Sequence, residues 1–311
     1  MPNIKRGMMG AAGAAGDTYE LFTWGDGNSG RTGHGNTTDY SSPVQVGALK
    51  DWMPPTATQS PTLATAWAET GGTTMAVKTD GTLWGWGENT RGQIGDNTMV
   101  DKSSPVQVGS LTDWSCVDTG DTHTVAIKTD GTLWTWGYQL YGALGNGSSA
   151  ALNISSPVQV GSLTNWLMPS SLYYSSGAIK TDGTLWTWGR NLYGGLATGN
   201  TTNYSSPVQV GSLTNWAKLT RGPGKGFTGI KTDGTLWTWG EAYGGSLGDG
   251  TTTNKSSPVQ VGSLTNWSEC QGGRFKRFAI KTDGTLWAWG YGVGGGLGLG
   301  STTNYSSPVQ V

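Results

Sequence analysis

Histidine, cysteine and paired carboxylates are the usual carriers of nucleophilic, acid–base and metal chemistry, and this chain holds them in no working arrangement. Its only histidines, His34 and His123, lie far apart, and neither has the motif context of a Ser-His-Asp set. Cys116 and Cys270 are the only cysteines, so no Cys/His cluster has zinc spacing. Asp80, Asp130, Asp182, Asp233 and Asp283 recur at one position, each followed by Gly. A ring of calcium ligands is one reading of them; the Asp-Gly signal of a tight hairpin explains them without metal. The Gly-rich stretch at 292–298 is followed by neither a helix nor a Lys-Ser/Thr pair, which argues against a phosphate-binding loop. These residues predict a protein that is not an enzyme and holds no cofactor or metal. Stacking remains as chemistry: Tyr40, Tyr204 and Tyr305 recur just before Ser-Ser-Pro and could lie against a sugar ring.

The elements that must position such residues follow from internal repetition. Ser-Ser-Pro-Val-Gln-Val occurs six times, with its prolines at Pro43, Pro105, Pro157, Pro207, Pro258 and Pro308. A second marker ends in Trp-Gly, with tryptophans at Trp24, Trp86, Trp136, Trp188, Trp239 and Trp289. Both give a period of about fifty residues, and both carry one excess of about twelve in the second unit, placed as an insertion at 53–66. The units run at about 1–46, 47–108, 109–160, 161–210, 211–261 and 262–311 of one domain. In the sixth copy, 268–270 reads as a first strand, Gly272-Gly273 as a turn, 278–281 as a second strand and Leu-Trp-Ala-Trp-Gly as a third. Pro308-Val-Gln-Val closes the unit, its proline suited to a strand start or an edge. Four short strands per unit predict an all-β single propeller of six blades, with seven as the alternative. A lone blade cannot bury both faces, so the six Trp-Gly tryptophans are expected as inter-blade core. On such a ring Cys116 and Cys270 fall on opposite sides, out of reach of a disulfide, and are expected as free thiols.

Composition agrees. Gly is 53 of 311 residues, a fraction compatible with disorder except that 17 Trp and 11 Tyr accompany it and supply buried area. Charged residues are 13% and the net charge is -1, with no basic stripe, so no nucleic-acid partner is expected. No apolar run approaches the ~20 residues of a membrane span. Lys5 and Arg6 precede small residues rather than a Leu-rich stretch, so no signal peptide is expected.

The third copy carries a recognisable pattern: residues 117–137, ending Ala-Ile-Lys-Thr-Asp-Gly-Thr-Leu-Trp-Thr-Trp-Gly, then Gly142-Ala-Leu-Gly145 and Pro157-Val-Gln-Val160. It resembles the repeat of the regulator of chromosome condensation family, as does Arg91-Gly-Gln-Ile-Gly95 in the second copy. The resemblance spans essentially the whole chain and implies a β-propeller, in that family typically of seven blades. It implies less about function, since members include a nucleotide-exchange factor, a UV-B photoreceptor and a β-lactamase inhibitor. The photoreceptor's Gly-Trp-Arg-His-Thr motif is absent here. The Met-Pro-Asn-Ile-Lys-Arg-Gly-Met-Met start, the near-identical copies and the low charge also look like virion proteins of tailed marine bacteriophages.

The functional expectation is a structural or adhesive virion component, a rigid disc in a decoration, neck or tail-fibre position, made in the host cytoplasm. Its expected partners are other virion proteins and host surface glycan, and it would occur in multiple copies on a symmetric assembly. An intracellular protein-interaction regulator and a lectin-like carbohydrate binder are the alternatives. Selective contact is expected where the copies differ: Lys5, Arg6, Met8 and Met9 at the N-terminus, and Pro54, Pro55 and Gln59 in the insertion.

Overall fold

In the computed structural model the described residues are 19–48, 50–54, 61–66, 72–222, 225–273 and 275–311. The fold is all-β and of the β-propeller type. Among the described residues there is one blade sheet for each Pro-Val-Gln-Val marker, six in number. Five are four-stranded antiparallel meanders, and the first shows a two-stranded pair, Phe22–Gly25 with Tyr40–Gln45. Helix among the described residues is confined to five three-residue 3-10 turns, and none is long and apolar enough to cross a membrane.

The sixth blade shows how residues set the strands. They run Trp267–Gly273, Lys276–Lys281, Leu286–Gly290 and Tyr305–Gln310, each paired with the next. Gly272 and Gly273 pair with Arg277 and Lys276, so they belong to the strand and not to a turn. Each further antiparallel pair adds main-chain hydrogen bonds until the chain must reverse. The fourth strand starts three residues before Pro308, which therefore lies inside it. Proline is tolerated there because the strand is outermost and its register slips between the Ala288 and Gly290 pairings.

In the second blade the insertion placed at 53–66 includes part of a strand. Trp52 bridges Lys78, as Trp114 pairs with Lys128. The chain then leaves the sheet and returns as Leu63–Thr65, paired with Ala76, Met75 and Thr74. The extra residues thus interrupt a first strand, which resumes because buried Ala64 belongs to the blade and the Thr62 carbonyl accepts from the Val77 N–H at 2.8 Å. Pro54 is half-buried, while Lys5, Arg6, Met8, Met9, Pro55 and Gln59 lie outside the described residues.

The chain divides into two compact units, residues 1–140 with 150–171, and 141–149 with 172–311. In the first, Met75, Ile94, Val117 and Trp136 belong to one buried cluster. In the second, Leu236, Trp267, Cys270 and Trp289 do. Cys116 and Cys270 are free thiols that serve as small buried side chains.

One contact joins successive blades within each unit. In blades two to six the second tryptophan of the third strand donates its indole N–H to a turn carbonyl of the preceding blade. In the first unit Trp86 reaches Arg31 at 3.0 Å and Trp136 reaches Gln93 at 2.9 Å. In the second, Trp188, Trp239 and Trp289 reach Ala143, Gly195 and Ser246 at 3.0, 3.0 and 3.2 Å. All five indoles are buried; Trp24 is half-buried. Two residues past each acceptor the backbone is left-handed, and the indole lies against it. A Cβ on Gly248 (φ +76°) would sit 2.4 Å from the Trp289 indole nitrogen. The equivalent residue after Gly195 is Ala197, at φ +59°. Relief of a left-handed alanine outweighs the added chain freedom of glycine, so Ala197→Gly is expected to stabilise the protein by about 0.5–1 kcal/mol, read from the urea midpoint.

Candidate binding surface

The Leu-Trp-x-Trp-Gly strands place their two tryptophans differently. The second is the buried pin; the first, at Trp84, Trp134, Trp186, Trp237 and Trp287, is half-buried. Each first tryptophan donates its indole N–H to the threonine two residues earlier, for example Trp237 to Thr235 at 2.8 Å. That hydroxyl in turn donates to the turn aspartate, Asp233, at 2.6 Å, and the Thr235 N–H donates to the same oxygen. The recurring aspartates are therefore turn clasps, and no group of three or more His, Cys, Asp or Glu side chains that could hold a metal is found among the described residues. The threonine hydroxyl is the main reason that Asp130, Asp182, Asp233 and Asp283 lie below the usual carboxyl range, with the threonine N–H adding to it and a small burial effect opposing it. Their folded pKa values are depressed, so their contribution is present above the unfolded value of about 4 and lost as pH falls through the folded values. Acid titration of the urea midpoint should show this loss, and Asp182→Asn should make the acid limb shallower.

The sequence reading passed over the lysine that opens each Lys-Thr-Asp-Gly turn. Lys78, Lys128, Lys180, Lys231 and Lys281 are all buried, each with its ammonium over the first tryptophan at 4.3, 4.4, 3.9, 3.5 and 3.6 Å from the ring centroid. Their surroundings differ. Lys78 and Lys128 have a carboxylate at 3.3 Å, from Asp51 and Asp113. The matching residues in blades four to six are Asn165, Asn215 and Asn266, whose Oδ1 atoms are buried without a hydrogen-bond partner. Burial pushes Lys180 and Lys231 below the usual lysine range, against a smaller opposing pull from Asp182 and Asp233. The signal in the sequence was the change from Asp-Trp to Asn-Trp between copies.

The second unit also carries a surface where cations lie on aromatic rings. The Arg190 guanidinium sits 4.8 Å from the Tyr141 centroid and 6.0 Å from Tyr174, and the Tyr141 and Tyr174 rings meet edge-on at 5.6 Å. Lys225 lies 5.2 Å from the Tyr193 ring. Tyr243, over half exposed, packs on Phe275 at 4.7 Å and Tyr291 at 5.5 Å. Tyr141 and Tyr193 hold φ of +61° and +62°, at the position where copies five and six have Gly244 and Gly294. The cleft beside Tyr174, Arg190 and Lys225 is only about 10 Å³, so this is a contact surface and not a pocket.

Of the histidines, His123 is buried in the second strand of the third blade. His34 has Nε2 3.0 Å from the Thr23 hydroxyl and an edge-on contact with Tyr40 at 4.6 Å. Tyr204 binds Asn200 through its hydroxyl at 3.0 Å, and the Tyr305 and Ser301 hydroxyls are 3.3 Å apart.

The Ultraviolet-B receptor UVR8 of Arabidopsis thaliana is 29% identical over 258 residues, 81% of this chain and 57% of that protein. The E3 ubiquitin-protein ligase HERC2 of Homo sapiens is 31% identical over 112 residues, 33% of this chain and 2% of that protein. The chain thus spans at most about half the length of these curated relatives. Among solved structures, human WBSCR16 superposes with a TM-score of 0.74 at 18% identity, covering 95% of this chain and 77% of that one. Yeast RCC1 (Prp20), solved with Kap60, gives 0.61 at 14% identity, covering 95% and 84%. Prp20p from Saccharomyces cerevisiae, described with its binding to Gsp1p and histones, gives 0.56 at 13% identity, covering 100% and 90%. These structural likenesses speak to fold. The regulator of chromosome condensation (RCC1) repeat matches residues 20–55, 80–127, 130–170, 182–222, 233–279 and 283–311, and the chain belongs to that repeat family.

Proposed function

We propose that the chain is a non-catalytic protein-interaction propeller that binds through the aromatic and basic surface of its second unit. The observation that carries this reading is the left-handed backbone at Tyr141 and Tyr193. A bulky residue there costs about 1 kcal/mol relative to glycine, and such strain persists where a side chain is needed for contact. Tyrosine and arginine, half-buried at Tyr141, Tyr193 and Arg190 and exposed at Tyr243, are also the side chains enriched at binding hot spots. The yeast propellers support the class, since they bind proteins: Kap60, Gsp1p and histones.

The finer setting we propose is a tailed-bacteriophage particle, with segments 1–16 and 53–66 as further anchors because the copies differ there. Support for this setting comes from the sequence, in the N-terminal segment and the near-identical copies. Proteomics of gradient-purified particles is expected to find the chain at fixed stoichiometry, and its absence would overturn the setting. The double variant Arg190→Ala, Lys225→Ala is expected to keep the wild-type melting temperature and to lower incorporation by about tenfold. Wild-type incorporation would remove the surface from the proposal. Tyr193→Gly is expected to raise stability by up to about 1 kcal/mol while weakening the same contact.

A further inference from the structure

A groove of about 460 Å³ opens in the second unit beside Lys231, between the outer strand of the fourth blade and the fifth blade. That volume falls within the ~300–1,000 Å³ of small-molecule sites. Its walls include the half-buried Trp237 ring, Tyr204, Gln209 and Ser257. At its base lies Lys231, 6% exposed, with its ammonium 3.5 Å from the Trp237 centroid and 4.9 Å from that of Trp216. The ring faces only partly replace the water that this ammonium lost, and burial works against its charge.

Blades two and three answer the same burial internally, with Asp51 and Asp113 as counter-ions. The fifth blade does not. Asn215, an uncharged amide, stands where the carboxylate would be, and no described carboxylate lies within ion-pair distance of Lys231. The nearest acid along the turn, Asp233, is occupied by Thr235. A buried cation that lines an open groove walled by amide and hydroxyl groups is suited to a ligand with both an anionic group and hydroxyls. A carboxylated pyranose carries both, and its hydroxyls match the amide and hydroxyl groups of Gln209, Tyr204 and Ser257.

We propose that this groove binds a carboxylated sugar, a uronic or related acidic residue of a glycan, with its carboxylate on Lys231 and its hydroxyls on the polar walls. The site is separate from the aromatic and basic surface described above and stands or falls independently of it.

The test is calorimetric titration of the full chain with glucuronate, and with glucose as the uncharged isologue. Glucuronate is expected to bind at least about tenfold tighter than glucose, the size of one charge-assisted hydrogen bond. Asn215→Asp restores the ion pair that the fold already accepts at Asp113, so it should fold normally and lose at least about tenfold in glucuronate affinity. Lys231→Gln should lose as much. Lys128→Gln, at a lysine already paired with Asp113, should leave glucuronate binding unchanged. Equal binding of glucose, wild-type affinity in Asn215→Asp, or no binding at all would overturn the proposal. So would binding of a free peptide carboxylate, probed with triglycine, in place of the sugar.

Discussion

Replacing Trp188 by alanine lowers the unfolding free energy by about 3–5 kcal/mol. The side chain is completely buried, and its indole N–H bonds the Ala143 carbonyl at 3.0 Å. The Ser176 hydroxyl also donates to that carbonyl, at 2.9 Å, so the oxygen keeps a partner when the indole is removed. The loss is therefore mainly a cavity and forfeited packing, not an orphaned acceptor. It cannot relax easily, because the Gly145 turn that faces the ring is held left-handed at φ +69°. Trp186→Ala, at the half-exposed tryptophan of the same strand, is expected to cost less than half as much. Urea denaturation of both variants measures the difference, and equal losses would show that the two rings are not divided into pin and surface.

Arg277→Met raises stability by about 3 kcal/mol. The Arg277 guanidinium is fully buried; Nη1 donates to the Arg221 carbonyl at 2.7 Å, while Nε and Nη2 have no protein partner. Burial pulls its pKa down to about 10, partly countered by Cys270. At 1.36 kcal/mol per unit, that depression from 12.5 corresponds to about 3 kcal/mol of destabilisation whenever the group is charged. Replacing an uncompensated buried charge by an apolar side chain of similar length removes the cost. The sign also sets a pH signature: the penalty applies below about pH 10, the folded value, and fades as pH rises through it. Wild-type stability should therefore approach that of Arg277→Met in strong base. A less stable methionine variant at neutral pH would mean that the guanidinium is compensated.

The repeat period and the third strand were legible because both rest on local, repeated chemistry. Proline and tryptophan markers count units directly, and Leu-Trp-x-Trp-Gly alternates with the period of a strand. The ends of the first and second strands were not legible, since Gly272 and Gly273 read as turn residues locally and are held in the ladder by their cross-strand partners. The three-residue strand Leu63–Thr65 carries too few residues to show a period, and only its pairing with Thr74, Met75 and Ala76 defines it. The groove was less legible still. Trp237 and Tyr204 were visible as aromatics, but the lysine that completes the site is buried by residues from several strands. Its lack of a counter-ion emerges only when Asp51 and Asp113 are set beside Asn215. Arg277 similarly stands out only when the copies are superposed by register. The residues opposite the pin tryptophans are then Thr74, Thr124 and Ser176 in blades two to four and Arg277 in blade six.

The tryptophan pin also bears on how such a chain changes over generations. Each unit encodes both halves of the contact, a turn that accepts and an indole that donates. A duplication or deletion of one whole unit therefore carries a matched pair and leaves every internal joint intact. A shift by part of a unit separates donor from acceptor and is discarded at folding. The joint thus filters recombination at the level of the protein, so that the number of blades can drift in whole steps while the blade itself is held constant.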